Sequence, residues 1–144
     1  MVDGRRLPWP LGILWALPMT LVGIAIVVAG VLTGGRVGFA EGAIEGYGGV
    51  IGRVLARVPV GRGGAGALTL GHVVLGTTAR QLETSRSHER VHVMQYERWG
   101  LLFPLAYGAS SLSALLHGQS PYRGNRFEKE ANRLAKQRAG RRSG

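Results

Sequence analysis

Residues 88–92 read His88-Glu89-Arg90-Val91-His92, two imidazoles four positions apart with a carboxylate beside the first. On a helix that spacing puts both rings on one face, a turn apart, where they can share one ion. Glu89 projects next to that face, within reach of a water on the ion. Zinc lowers the pKa of such a water to about 7, and an adjacent carboxylate can take a proton and return it to a leaving amine. The chemistry expected is metal-assisted hydrolysis of a peptide bond. The chain has no Cys, which removes a disulfide framework, thiolate catalysis and Cys-ligated zinc. A metal site must therefore come from the four His (72, 88, 92 and 117) and the eight acidic residues.

A second acidic motif follows, Asn125-Arg126-Phe127-Glu128-Lys129-Glu130-Ala131-Asn132. With it the sequence resembles the gluzincin group of zinc metallopeptidases, which pair H-E-x-x-H with a later helix carrying E-x-x-A-D or a close variant. The resemblance implies zinc as cofactor, a peptide or protein as substrate, Glu89 as general base and Glu128 as third ligand, Ala131 falling on the motif's Ala. Glu130 is two residues on and points elsewhere on a helix. One position departs: Asn132 stands where the group usually has Asp. An amide oxygen still accepts from an imidazole N–H, but without charge it raises ligand basicity less. Over most of its length the chain is also similar to a family of small bacterial membrane proteins. Leu17-Pro18-Met19-Thr20-Leu21-Val22-Gly23, Leu70 to Gly76, His88 to Gly100 and Tyr122 to Ala131 carry that likeness. It implies a single-pass protein of the bacterial inner membrane.

Other polar residues are weaker candidates. Tyr122 is a candidate catalytic residue that could donate to a developing oxyanion, or it is a packed tyrosine. Gln95, one turn past His92, lines the site or caps a neighbour. His117 reads as a solvated loop residue or a second donor, and His72 as structural, within a strand. In peptidases of the resembling type an edge strand beside the active helix binds extended substrate, and by that resemblance Leu68 to Leu75 is the candidate.

These residues need elements to position them. From Gly34 to Thr78 the chain is rich in Gly and β-branched residues. Val37–Ala40, Val50–Leu55 and Ala67–Leu75 read as short strands of a small, mostly antiparallel sheet, with a loop at Gly61–Gly66. Ala79 to Trp99 reads as a helix ended by Gly100, Leu101 to Leu116 as a second, and Asn125 to Arg138 as a third with Asn125 as N-cap. His117 to Pro121 is a loop, and Gly140 to Gly144 a frayed end. The fold class expected is α+β, a minimal zincin-like arrangement of a sheet and three helices behind an apolar N-terminal helix.

Leu11 to Leu32 holds 22 uncharged, mostly apolar residues, about the length that crosses a bilayer core. Trp9 and Trp15 lie near one end, where such rings favour the interface. The run is longer than a signal-peptide core. It reads as a membrane anchor over residues 1–33, leaving 34–144 as the metal-binding domain. A buried helix of a soluble fold is the alternative. Arg5 and Arg6 on one side are offset by Arg36, Arg53 and Arg57 on the other, so orientation stays open. Leu101 to Leu116 is not read as a second span. It lies between the His pair and Glu128, and a crossing would part ligands that must stand about 2 Å from one ion. Its apolar face packs on the sheet or lies in the membrane surface.

The chain carries 18 Lys+Arg against 8 Asp+Glu, a formal charge of +10, with a basic cluster from Arg123 to Arg142. No nucleic-acid motif accompanies it. Beside an apolar helix, anionic lipid head groups are the partner expected rather than nucleic acid. Two readings stay beside the peptidase: a catalytically inactive membrane protein using the same His/His/Glu site for structural or sensory metal binding, and a basic membrane-surface module without metal.

Overall fold

The uncharged N-terminal run has no side chain that needs water, and it forms one long helix, α1 (Trp9–Leu32). The computed structural model describes residues 9–58 and 66–142. Arg5, Arg6, the Trp9 ring, most of the Gly61–Gly66 loop, the Arg142 side chain and residues 143–144 lie outside the described residues. α1 is long and apolar enough to cross a membrane. It is not detached from the rest: Gly12, Ala16, Thr20, Gly23, Val27 and Gly30 are buried along one side, at the three-and-four spacing of a helical stripe. Small residues there admit close approach. A Cβ at Gly23 would lie 2.6 Å from the Val73 side chain, and Thr20 Oγ1 accepts a hydrogen bond from His72 N at 3.0 Å.

Among the described residues the remainder of this mixed α+β fold is a four-stranded sheet and four more helices. β1 (Arg36–Ala40) and β2 (Ala43–Tyr47) form a hairpin through Glu41 and Gly42, whose φ values of 49° and 80° suit a two-residue turn. A short helix, α2 (Gly49–Leu55), follows. β3 (Ala67–Leu70) and β4 (Val73–Gly76) form a second hairpin. The sheet order is β1-β2-β4-β3. Both hairpins are antiparallel, while β2 and β4 run parallel, with Ile44 opposite Val73. The sheet is thus mixed, with two of its three pairings antiparallel.

Three sequence expectations change here. Val50–Leu55 is helical, not a strand. Ile51 and Leu55, four apart, are the buried pair, while Arg53 and Val54 face outward, so helical burial overrides β-branched propensity. Ala67–Leu75 is two strands, because Gly71 adopts φ 60° and turns the chain. β2 was not expected. Its central Glu45 disguises it, and that carboxylate is buried only because Arg86 grips it with two hydrogen bonds of 2.9 Å.

The helices beyond Thr78 follow the sequence closely. α3 (Ala79–Trp99) begins where the Thr78 hydroxyl accepts from Gln81 N at 3.1 Å and ends at Gly100, φ 54°. The Trp15 indole sits against Gly100, leaving no room for a Cβ. The chain then bends by 114° into α4 (Leu102–Leu116). α5 runs Arg126–Arg142, past the expected end at Arg138. Asn125 caps it, accepting from Phe127 N at 2.8 Å. The Asn125 amide also donates to Tyr107 O and Ser111 Oγ, so the cap ties α5 to α4. Ala16, Tyr96, Phe103 and Phe127 pack where α1, α3, α4 and α5 meet.

Candidate metal centre

α3 presents His88 and His92 a turn apart, and α5 lays Glu128 against them. The His88 and His92 Nε2 atoms are 3.1 Å apart. His88 Nε2 lies 3.0 Å from Glu128 Oε2, and His92 Nε2 lies 3.2 Å from Glu128 Oε1. These three residues form a group that can hold a metal ion. Atoms bound tetrahedrally to one ion at about 2.0–2.1 Å stand roughly 3.3–3.4 Å from one another. The two imidazole nitrogens stand close to that spacing, while Glu128 meets each ring with a different oxygen, and one ligand atom from each residue lies within 4.8 Å of the others.

The outer hydrogen bonds decide which ring nitrogens carry protons. Gln95 Nε2 donates to Phe127 O (3.1 Å) and Glu130 Oε2 (2.9 Å). That fixes its amide, so Oε1 is the atom 2.8 Å from His92 Nδ1. His92 Nδ1 must then donate, leaving the Nε2 lone pair turned toward Glu128. Asn132 Oδ1 takes the same place at His88 Nδ1, 3.1 Å away. The amide oxygen at position 132 is therefore placed to accept from the His88 imidazole.

Two lone pairs and a carboxylate thus converge, and Glu128 Oε2 is buried without a well-formed hydrogen bond. Such a cluster requires a positive charge between its atoms. In the absence of a cation a proton fills that role. Burial opposes charge on both partners, but their mutual contact wins. Glu128 is held well below the usual carboxylate range by the His88 and His92 imidazoles and the Tyr107 hydroxyl. The same contact, with the Glu89 and Glu128 charges, raises His92 above its ordinary value despite burial. A divalent ion fits the donor set better than a shared proton, since it meets all three atoms at once.

Of the other candidates, Glu89 and Tyr122 line one cavity of about 690 Å³ with the metal group. Glu89 is buried on its wall, and its Oε2 accepts from the Thr69 hydroxyl at 2.7 Å. Tyr122 lines the same wall. Although 38% of its surface is exposed, partial desolvation at the cavity and the nearby Glu128 charge hold its phenol above the usual range, so it stays protonated. Tyr107 was missed from sequence. Its hydroxyl donates to Glu128 Oε1 at 2.7 Å. The available signal was its place on the inward stripe of α4, four residues after Phe103. Thr69 was missed as well, because nothing in a strand sequence reveals its partner on α3. His72 and His117 are elsewhere. His72 occupies the β3–β4 turn rather than a strand and contacts Glu97 Oε1 at 3.0 Å. His117 Nδ1 contacts Ser113 O at 2.7 Å, and its residue borders a second cavity between α4 and α5.

Of the expected edge strand, only β3 is at an edge, since β4 pairs on both sides. β3 borders the cavity beside Glu89. Comparison with protein-family models, with curated proteins and with solved structures gave no match to any of the three.

Proposed function

We infer that the chain is a membrane-associated zinc metallopeptidase of gluzincin-like design, with His88, His92 and Glu128 as metal ligands. The carrying observation is the convergence of the two imidazole Nε2 atoms on the Glu128 carboxylate, with Gln95 Oε1 and Asn132 Oδ1 placed against the other nitrogen of each ring. A zinc ion there would supply Lewis acidity to a water and bring its pKa to about 7.

The chain's own residues have these roles in the reading. Glu89 accepts a proton and returns it to the leaving nitrogen, with Thr69 orienting its carboxylate through Oε2. Tyr122 keeps its proton and donates to the charge developing on the scissile carbonyl oxygen. β3 receives substrate in extended form. Thr77 N donates to Gly66 O, and the two-residue turn pairs Leu70 with Val73. The alternation of an antiparallel ladder then directs the N–H and C=O of Ala67 and Thr69 to the free edge. α1 holds the protein at a membrane, and the basic residues of α5, in the water beside it, are attracted toward its anionic head groups.

A second reading is a metal site without turnover. It is favoured by Asn132, which leaves His88 without the charged partner that strengthens a ligand, and by the hydrogen bond that occupies one Glu89 oxygen. Purified wild-type, His92→Ala and Glu89→Gln proteins separate the two. Stoichiometric zinc in wild type, lost in His92→Ala and kept in Glu89→Gln, is expected of both readings. Turnover of a peptide library that falls by about 10²–10⁴-fold in Glu89→Gln identifies the peptidase. Zinc-free wild-type protein would overturn both.

A further inference from the structure

α4 has an outer side that water does not suit. From Leu101 to Leu116 there is no Asp, Glu, Lys, Arg or His. Its inner side, with Phe103 and Ala114 buried, meets α3 and α5. Its outer side carries Leu105, Leu112 and Leu116, exposed by 72%, 56% and 76%. α5, equally peripheral, has Arg and Lys on its exposed positions, so this chain does place charge on a helix that faces water. A contiguous row of leucines marks a surface that something apolar covers.

The start of α4 lies against α1. Trp15 rests on Gly100 just before α4, Ala16 and Met19 pack with Phe103, and Leu14, Leu17 and Leu21 of α1 face outward. α1 is the helix whose length and composition suit a bilayer, so the first turn of α4 starts against a helix with its own exposed leucines. A protein partner would need polar groups to fix its register. The outer side of α4 offers little beyond Ser113.

We propose that lipid acyl chains cover this face: α4 is a second lipid-contact element beside α1, lying in one leaflet with its leucines immersed. It does not cross. Its 15 residues reach about 22 Å at roughly 1.5 Å each, short of a core of about 30 Å. Its start is tied to the helix of His88 and His92, and its end returns the chain to Glu128 beside them. The candidate metal centre is thereby set at the membrane surface. This assignment holds whether or not the centre hydrolyses anything.

The cysteine-free chain makes the test direct. Single-Cys variants at Leu105, Leu112 and Leu116, with Lys136 on α5 as a water-facing control, receive a nitroxide label. Each full-length protein is reconstituted in phosphatidylcholine/phosphatidylglycerol vesicles. Power saturation is then read with oxygen and with a water-soluble nickel chelate. The three leucine positions are exposed, so substitution there leaves the fold intact, checked by circular dichroism. The expected result is oxygen access several-fold above nickel access at all three, and the reverse at position 136. Nickel access at the leucines would overturn the proposal in favour of a water-facing helix. Exclusion of both reagents would overturn it in favour of cover by protein, such as a second copy of the chain.

Discussion

Asn132 offers the sharpest perturbation of the metal centre. It is exposed, and it touches the metal group only through its Oδ1, 3.1 Å from His88 Nδ1. Asn132→Ala removes that acceptor, and solvent replaces it in part. The loss is that of one neutral hydrogen bond, about 0.5–1.5 kcal/mol, or roughly 2–10-fold in zinc affinity. Asn132→Asp keeps the acceptor and adds a charge. The path from the carboxylate to an ion on His88 Nε2 sums to roughly 7 Å: the hydrogen bond, the width of the ring and one coordination bond. Even at the bulk-water dielectric of about 80, a dication and a carboxylate at about that distance gain on the order of 1.2 kcal/mol, close to tenfold tighter, and the gain is larger where the protein excludes water. Affinity should therefore run Asp above Asn above Ala. Competition with a chromophoric chelator at pH 7.5 reads all three. Raising the salt from 20 to 500 mM (roughly 20 Å down to 4 Å in screening length) should shrink the Asp gain and leave the Ala loss in place. Equal affinity in the three proteins would refute the claim that Asn132 supports His88. A gain in Asp that ignored salt would refute its electrostatic cause.

Two further outcomes follow from the packing and the protonation of the site. In metal-free protein the stability from His92, whose pKa is raised, is fully present below its unfolded value of about 6.5 and is lost as pH rises through the folded value. The stability from Glu128, whose pKa is lowered, is present above its unfolded value of about 4.5 and is lost as pH falls through the folded value. The thermal midpoint in chelator should thus be highest near about pH 5–6 and decline toward pH 9, while zinc affinity climbs over the same interval because both Nε2 atoms must be unprotonated. A midpoint that rises steadily to pH 9 would contradict this. At the other end of the molecule, Gly23→Val drives a side chain into Val73, where even a Cβ would stand 2.6 Å away. It should cost about 1–3 kcal/mol in detergent-solubilised protein, against little change for Gly108→Val, which meets open space. Similar melting of the two variants would mean that α1 does not pack on the sheet as described.

The metal group was legible because its chemistry is written in residue types that have few innocent uses at such spacing. His88, Glu89 and His92 are local to one helix, and Glu128 sits in a motif of its own. What lay beyond the sequence is what depends on approach between distant segments. Tyr107 and Thr69 are ordinary helix and strand residues until α5 and α3, respectively, come within hydrogen-bond range of them. The sheet was harder to read for a different reason. Glu45 breaks the apolar pattern of β2, and its burial makes sense only once Arg86, from a helix 41 residues later, is in place. Val50 and Val54 favour a strand by propensity, yet the burial of Ile51 and Leu55 on α2 decided the outcome.

The hydrogen bond from Gln95 to Phe127 O has a mechanical consequence. Gln95 holds His92 through one end of its amide and the backbone of α5 through the other, one residue before Glu128. An ion seated between His92 and Glu128 would close a loop of 36 residues, the whole of α4 included. By the chain-entropy estimate a cross-link of that span removes about 4 kcal/mol of freedom from the unfolded state. In a sequence without a single cysteine, the metal would be the staple. Chelation should then free α4 and α5 from α3 together, opening the turn at residues 117–124 to proteolysis before the sheet and α1 come apart.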